Sequence, residues 1–225
     1  MKIGIIGYGK MGKEVEKIAV QKGHNIIFKI NSQNTDQLSE ENMNKIDVAI
    51  EFSNPNCAFK NIQFCVDQNT PIVSGTTGWK QKIADIQAQC LQKNGSFLHS
   101  PNFSIGVNLF FEINKYVAEL MKDQKYKISI MEKHHKMKKD SPSGTAIKIE
   151  NDINKKLNYT IPIESKRIGT LKGEHMVNYI SEIDEIQISH KAKNRSGFAQ
   201  GAILAAEFIY NKKGVFTMND IIQNL

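Results

Sequence analysis

Apolar residues in the first hundred positions fall into short β-branched runs separated by stretches of helical period. Lys2 to Gly7 is one such run; Met11, Val15, Ile18 and Ala19 then share one helical face, and Asn25 to Ile30 returns to strand character. Asp47 to Phe52, Pro71 to Ser74 and Ser96 to His99 read as further buried strands, with helices predicted over Pro55 to Asp67 and Trp79 to Lys93. Strands alternating with helices in this way predict an α/β fold, a Rossmann-type parallel sheet wrapped by helices.

Past Asn102 the rhythm changes. Ile105, Leu109, Ile113, Val117 and Leu120 mark a long amphipathic helix, followed by a strand over Lys127 to Glu132 and a helix from about Ser143 to Leu157. Ile163 to Thr170, His175 to Ser181 and Glu185 to His190 read as strands of a mostly antiparallel sheet, so this part is expected to be a smaller α+β domain. Gly197 to Tyr210, with Ala202, Ala205, Ala206 and Ile209, predicts a closing helix that returns to the first domain. The expected boundaries are 1–103, completed by 198–225, and 104–197.

Composition narrows the class. The 225 residues are 40% hydrophobic and 24% charged, enough to bury a core and too ordinary for wholesale disorder. No run approaches the roughly 18 apolar residues of a membrane helix, and Met1 to Gly7 is too short and glycine-punctuated for a secretory signal. A protein of the cytoplasm, with no membrane partner, is expected. Cys57, Cys65 and Cys90 fit neither a disulfide framework nor a zinc spacing, and no metal is expected. The net charge of +7 comes from lysines spread along the chain, with no helix-turn-helix or basic arm, which argues against a nucleic-acid partner. Such a field would still draw anionic small molecules towards a cleft.

Gly7-Tyr8-Gly9-Lys10-Met11-Gly12 follows a strand and opens a helix, the context in which G-x-G-x-x-G signals dinucleotide binding. Gly7 would allow the tight turn, Gly9 the approach of a pyrophosphate, and Gly12 close helix packing. The second strand ends in Lys29-Ile30-Asn31-Ser32, without the carboxylate that usually binds the ribose of NAD. With Lys10 and Lys29 placed to meet a 2′-phosphate, NADPH is expected in preference to NADH.

The segment from Glu132 to Ala146, EKHHKMKKDSPSGTA, concentrates proton-transfer chemistry. His134 and His135 offer one imidazole to titrate near neutrality and another to hydrogen-bond. Lys136 and Lys139 are expected to hem in Lys138 with like charge, making it a readier proton donor. Ser141 is expected to cap the next helix with Pro142 at its first position, leaving the N–H groups of Ser143, Gly144 and Thr145 facing outward to dock a carboxylate.

This pattern resembles the 4-hydroxy-tetrahydrodipicolinate reductases (dihydrodipicolinate reductases) of the diaminopimelate route to lysine. Their E-x-H-H-x-x-K-x-D-x-P-S-G-T-A pattern is matched by Glu132, His134, His135, Lys138, Asp140, Pro142, Ser143, Gly144, Thr145 and Ala146. The likeness extends through the nucleotide turn, Gly75 to Gly78, Asn102 to Asn108, Gly173-Glu174-His175 and Phe198 to Ala202, and so covers nearly the whole chain. It departs in a nucleotide turn one residue shorter than the commoner form, and in Lys136 and Met137, where many relatives carry arginine or histidine.

The resemblance implies a dinucleotide-binding first domain and a substrate-binding and oligomerisation second domain, assembled as a homotetramer. Gly75, Thr76 and Thr77, with Ser100, Pro101, Asn102 and Phe103, would line the nicotinamide side. His134 and Lys138 would handle protons, while His135, Ser143, Gly144 and Thr145 would hold a cyclic dicarboxylate that receives a hydride from NADPH or, alternatively, NADH. Of the chain's two arginines, Arg167 and Arg195, the latter is expected to help read the substrate or domain closure. Two other readings compete: an aspartate-semialdehyde or homoserine dehydrogenase, the former needing a thiol nucleophile, and a nucleotide-binding regulator without turnover.

Overall fold

A computed structural model describes residues 1–157 and 160–225. The chain divides into two compact units, one made of Met1–Ile105 with Ser196–Leu225, the other of Gly106–Arg195.

The first unit is built on six parallel strands, β1 (Lys2–Ile6), β2 (Asn25–Ile30), β3 (Val48–Glu51), β4 (Ile72–Ser74), β5 (Ser96–His99) and β10 (Gly214–Phe216), in the order β10-β5-β4-β3-β1-β2. β3, β4 and most of β1 are buried along their length, which is why they read as continuous apolar runs. The helices are α1 (Lys10–Gln21), a short α2 (Glu40–Met43), α3 (Pro55–Asp67) and α4 (Ile83–Gln92). The run predicted as one helix from Trp79 begins as a separate 3₁₀ turn over Lys80–Lys82.

α7 (Ser196–Ile209) packs on the same sheet as α1, with Ala199, Ala202, Ala205 and Ala206 fully buried. Its small residues allow close approach: a Cβ on Gly201 would come 1.7 Å from the carbonyl oxygen of Phe103. β10, which pattern alone did not reveal, has three half-buried residues and joins the edge beside β5. α8 (Met218–Ile222) follows, capped by the reciprocal Thr217 and Asp220 contacts.

The second unit contains α5 (Ile105–Met121, whose first residue belongs to the first unit), β6 (Lys127–His134), α6 (Gly144–Leu157), β7 (Ile163–Arg167), β8 (Glu174–Ile180) and β9 (Glu185–Lys191). The sheet order is β7-β6-β8-β9; β6-β8 and β8-β9 are antiparallel and β6-β7 is parallel. α5 and α6 bury Val107, Phe110, Phe111, Ile149 and Ile153 against one face of this sheet. No helix among the described residues is long and apolar enough to cross a membrane.

Candidate active site

Strand alternation builds the centre of the second unit. Along β6 every second side chain is buried, so Glu132 and His134 continue the inward row begun by Ile128 and Ile130, while Lys133 points the other way. Pairing then brings in two more strands: His175 of β8 lies opposite Glu132, and Arg167 of β7 lies beside His134.

Glu132 is fully buried. Its Oε1 accepts from Arg167 Nη2 at 3.1 Å and from the Ser143 backbone N–H at 3.1 Å. Its Oε2 lies 3.1 Å from His134 Nδ1 and 3.8 Å from His175 Nε2. Burial alone would raise the pKa of this carboxyl, but donors from Ser143 and Arg167 outweigh it and hold the group below the ordinary carboxylate range. The Ser143 hydroxyl shares a 3.1 Å hydrogen bond with His175 Nε2. The two imidazole rings meet edge to face with centroids 5.0 Å apart. Burial lowers the pKa of both, that of His175 to about 3, so both are neutral at pH 7. Glycine suits position 173, where φ is +137° and a Cβ would sit 3.1 Å from His134 Nε2.

The start of α6 differs from expectation. Ser143, not Ser141, supplies the cap: its hydroxyl accepts from the Ala146 N–H at 3.2 Å, and the helix opens at Gly144. Pro142 follows a cis peptide outside the helix. Since the Ser143 N–H is taken by Glu132, the amides left for an anion are those of Gly144 and Thr145.

The surroundings of Lys138 also differ. A carboxylate, rather than like charge, is its nearest partner: Nζ donates to both oxygens of Asp140 at 2.8 and 2.9 Å, which lowers the Asp140 pKa. The backbone of the same loop is tied down by Arg167, whose Nη2 donates to the Asp140 carbonyl at 2.5 Å. The arginine in this cluster is therefore Arg167; Arg195 is exposed, with no ion pair among the described residues. Arg167 was present in the sequence as one of a rare pair, but only the β6-β7 register identifies which of the two is used. His135 stands half-buried just beyond the end of β6.

In the first unit, Gly7 adopts φ +95°, and the Gly7 and Tyr8 N–H groups both donate to the Ile30 carbonyl, at 2.9 and 2.8 Å. A Cβ at Gly12 would lie 2.5 Å from the Gly7 carbonyl oxygen, whereas one at Gly9 would meet only open space. α1 has no side chain capping its first amides. Helix packing thus claims Gly12, and the space before Gly9 with free helix-start amides is a cradle that fits a pyrophosphate.

Two cavities share Gly9, Phe52 and Ser53. One of about 420 Å³ extends past Tyr8 to Asn31 and Ser32; the other, about 440 Å³, takes in Lys10, Met11, Gly75, Thr76 and Thr77. Of the remaining expected residues, Pro101 borders a separate cavity with Thr77 and His99. Ser100 and Asn102 close a local turn, with the Ser100 hydroxyl donating to the Asn102 carbonyl at 2.8 Å. Phe103 is buried against Phe52, their rings 5.7 Å apart.

Lys29 is not a lone cation. Its Nζ donates to Glu16 at 3.0 Å and lies 5.1 Å from the Tyr8 ring centroid, while the Tyr8 hydroxyl donates to the same carboxylate. Glu16 lies on α1 without any motif to mark it. The thiols provide no exposed nucleophile in the core of the unit: Cys65 and Cys90 are buried, and burial pushes their pKa values up. Only Cys57 is exposed.

Comparison with known proteins covers the chain from end to end. Residues 1–103 match the family described as "Dihydrodipicolinate reductase, N-terminus", and residues 106–222 match "Dihydrodipicolinate reductase, C-terminus". The 4-hydroxy-tetrahydrodipicolinate reductase of Christiangramia forsetii is 43% identical, with 100% of this chain and 99% of that protein covered. The enzyme of the same name from Thermosipho africanus is 37% identical over 99% and 98%. Among solved structures, the dipicolinate-bound dihydrodipicolinate reductase of Paenisporosarcina sp. TG-14 shares the fold, with a TM-score of 0.80 at 22% identity over 96% of this chain and 97% of that one.

Proposed function

The chain belongs to the dihydrodipicolinate reductase family, and from that premise we propose how its own residues divide the work. The activity is the NAD(P)H-dependent reduction of 4-hydroxy-tetrahydrodipicolinate to tetrahydrodipicolinate. A pyridine nucleotide, when bound, supplies the hydride that displaces the ring hydroxyl. The protein must then bind a twice-negative ring and supply a proton.

The observation that carries the assignment of residues is the convergence on Glu132. This carboxylate fixes the Ser143 amide and Arg167 and adjoins His134 and His175. It therefore orders the elements bearing His135, Lys138 and the start of α6. The Gly144 and Thr145 amides and the ring of His135 receive the substrate carboxylates, where a helix start favours negative charge. Lys138, whose ammonium already lies on one carboxylate, that of Asp140, delivers the proton. His134 is neutral before substrate arrives and hydrogen-bonds the ring; a nearby dianion draws it towards protonation.

The nucleotide is NADPH in preference to NADH. No carboxylate stands at Asn31 to repel a 2′-phosphate, Lys10 is exposed, and Lys29 would exchange Glu16 for the phosphate. Assembly as a homotetramer in the cytoplasm completes the reading; the exposed Ile183 and Ile186 of the β8-β9 hairpin offer apolar surface for copies of the chain.

Mixing the protein with the product of the upstream synthase and following nicotinamide absorbance tests this reading. Oxidation of NADPH, faster than of NADH at equal low concentration, is expected. No oxidation of either would overturn the proposal, as would unchanged turnover in Lys138→Ala.

A further inference from the structure

One fully buried acid has no task in the reaction as described. Glu51 ends β3, opposite Ile6 of β1 and Ser74 of β4. Strand order reverses about β1, with β2 on one side and β3 on the other, so Glu51 stands at the switch point where open parallel sheets hold their ligands.

The neighbours of this carboxylate are all neutral donors. Oε1 accepts from the Ser53 N–H at 2.9 Å, from the Thr76 hydroxyl at 2.8 Å and from the Ser53 hydroxyl; Oε2 accepts from the Ser74 hydroxyl at 2.6 Å. Asn61 Nδ2 donates to the Ser53 oxygen at 3.3 Å, which leaves that hydroxyl's proton for Glu51. No cation pairs with Glu51 among the described residues. A buried carboxylate without a counter-charge is costly, and its two oxygens accept four donors where a neutral amide has a single acceptor oxygen. Two of its partners, Ser53 and Thr76, line the cavity that also holds Gly75 and Thr77. The Thr76 carbonyl is held as well, by Trp79 Nε1 at 2.7 Å and His99 Nε2 at 3.2 Å.

We propose that Glu51 is a positioning residue: through Ser53 and Thr76 it shapes the nicotinamide half of the cleft, and its fixed charge favours the nicotinamide ring as that ring becomes positive. The proposal rests on the pyridine-nucleotide reading of this cleft. Hydride departure removes two electrons and a proton from the reduced ring, leaving it oxidised with one positive charge. The substrate takes the hydride and, with one proton, loses its hydroxyl as water. A negative charge below the pocket favours the oxidised cofactor, so it increases the driving force for hydride donation.

The experiment compares Glu51→Gln with the wild-type full chain, measuring dissociation constants of NADPH and of NADP⁺ separately. The near-isosteric amide keeps the shape and removes the charge. The ratio Kd(NADP⁺)/Kd(NADPH) is expected to rise by about tenfold, the order a single buried charge exerts at short range in protein. Glu51→Asp, which keeps the charge, is expected to weaken both forms and hold the ratio within about twofold. It serves the comparison if the Gln variant folds poorly. An unshifted ratio in Glu51→Gln, or a tenfold shift in Glu51→Asp, would overturn the proposal. Wild-type protein that binds neither nucleotide would remove the reading of the cleft itself; binding with an unshifted ratio removes only the role of Glu51.

Discussion

Arg167 holds Glu132 and the backbone of Asp140 with the same nitrogen, Nη2, at 3.1 and 2.5 Å, while Nη1 donates to the Lys166 carbonyl at 3.0 Å. One side chain thus joins the floor of the site to the loop that carries Lys138. A lysine offers no planar fork and cannot serve these acceptors together. Arg167→Lys is therefore expected to fold but to lose on the order of tenfold in kcat/KM, with the loss concentrated in kcat. Arg167→Ala leaves the buried carboxylate unpaired and is expected to cost about 3 kcal/mol of stability, read from the urea midpoint. Equal kinetics in Arg167→Lys and wild type would show that the loop needs no such tie.

Lys138→Ala tests proton delivery. The expected outcome is a fall in kcat of about 10²- to 10⁴-fold, the usual span for a positioned general acid, with the KM for nucleotide unchanged and the melting temperature within a degree or two. A comparable fall in nucleotide affinity would place the lysine in binding instead.

Two glycines six and three residues beyond the first strand's last paired position, Gly12 and Gly9, should answer differently to alanine. At Gly9 the added methyl enters open space, so stability is kept while nucleotide binding weakens by at least tenfold, an order-of-magnitude expectation for lost backbone approach to a pyrophosphate. At Gly12 the methyl would lie 2.5 Å from the Gly7 carbonyl, and the expected result is destabilisation by roughly 1–3 kcal/mol. Parallel thermal melts and nucleotide titrations of the two variants separate these effects.

The pH dependence follows from the buried histidines. His175 has its pKa lowered by burial to about 3, against about 6.5 for an unfolded histidine. The unfolded chain therefore binds a proton that the folded chain refuses. The stabilisation is complete above about pH 6.5 and is lost as pH falls towards 3, at up to ~1.4 kcal/mol per pH unit for each such group. His134 contributes in the same direction over a window below the same upper limit. Between pH 6.5 and 5, above the range where carboxylates titrate, His175→Asn is expected to flatten the fall in denaturation midpoint. Parallel curves for variant and wild type would contradict the neutral, buried state of His175.

Much of the fold was legible in the chain because each relevant signal is local. The runs at Ile3 to Ile6, Val48 to Ile50 and Phe97 to Leu98 are apolar on both faces because helices cover both, and the glycine turn at Gly7 to Gly12 needs a particular backbone rather than a distant partner. β10 was not legible, since three half-buried residues become a strand only by pairing with β5. The cap at Ser143 was misplaced by two residues because Ser141-Pro142 imitates a helix start. Glu132 decides between them by accepting the Ser143 amide, a contact eleven positions away in sequence.

By itself the sequence determined which chemical groups are present and which share a strand face or a turn: the paired imidazoles, the lysine-rich loop, the nucleotide turn and the two-part order of elements. Tertiary structure decided which charges meet. Arg167 rather than Arg195 pairs with Glu132, Asp140 neutralises Lys138, Glu16 engages Lys29, and Glu51 is sealed under Thr76. The physical reason is range: backbone propensity and alternation act over a few residues, whereas an ion pair or buried carboxylate is defined by strand register and packing between segments distant in the chain.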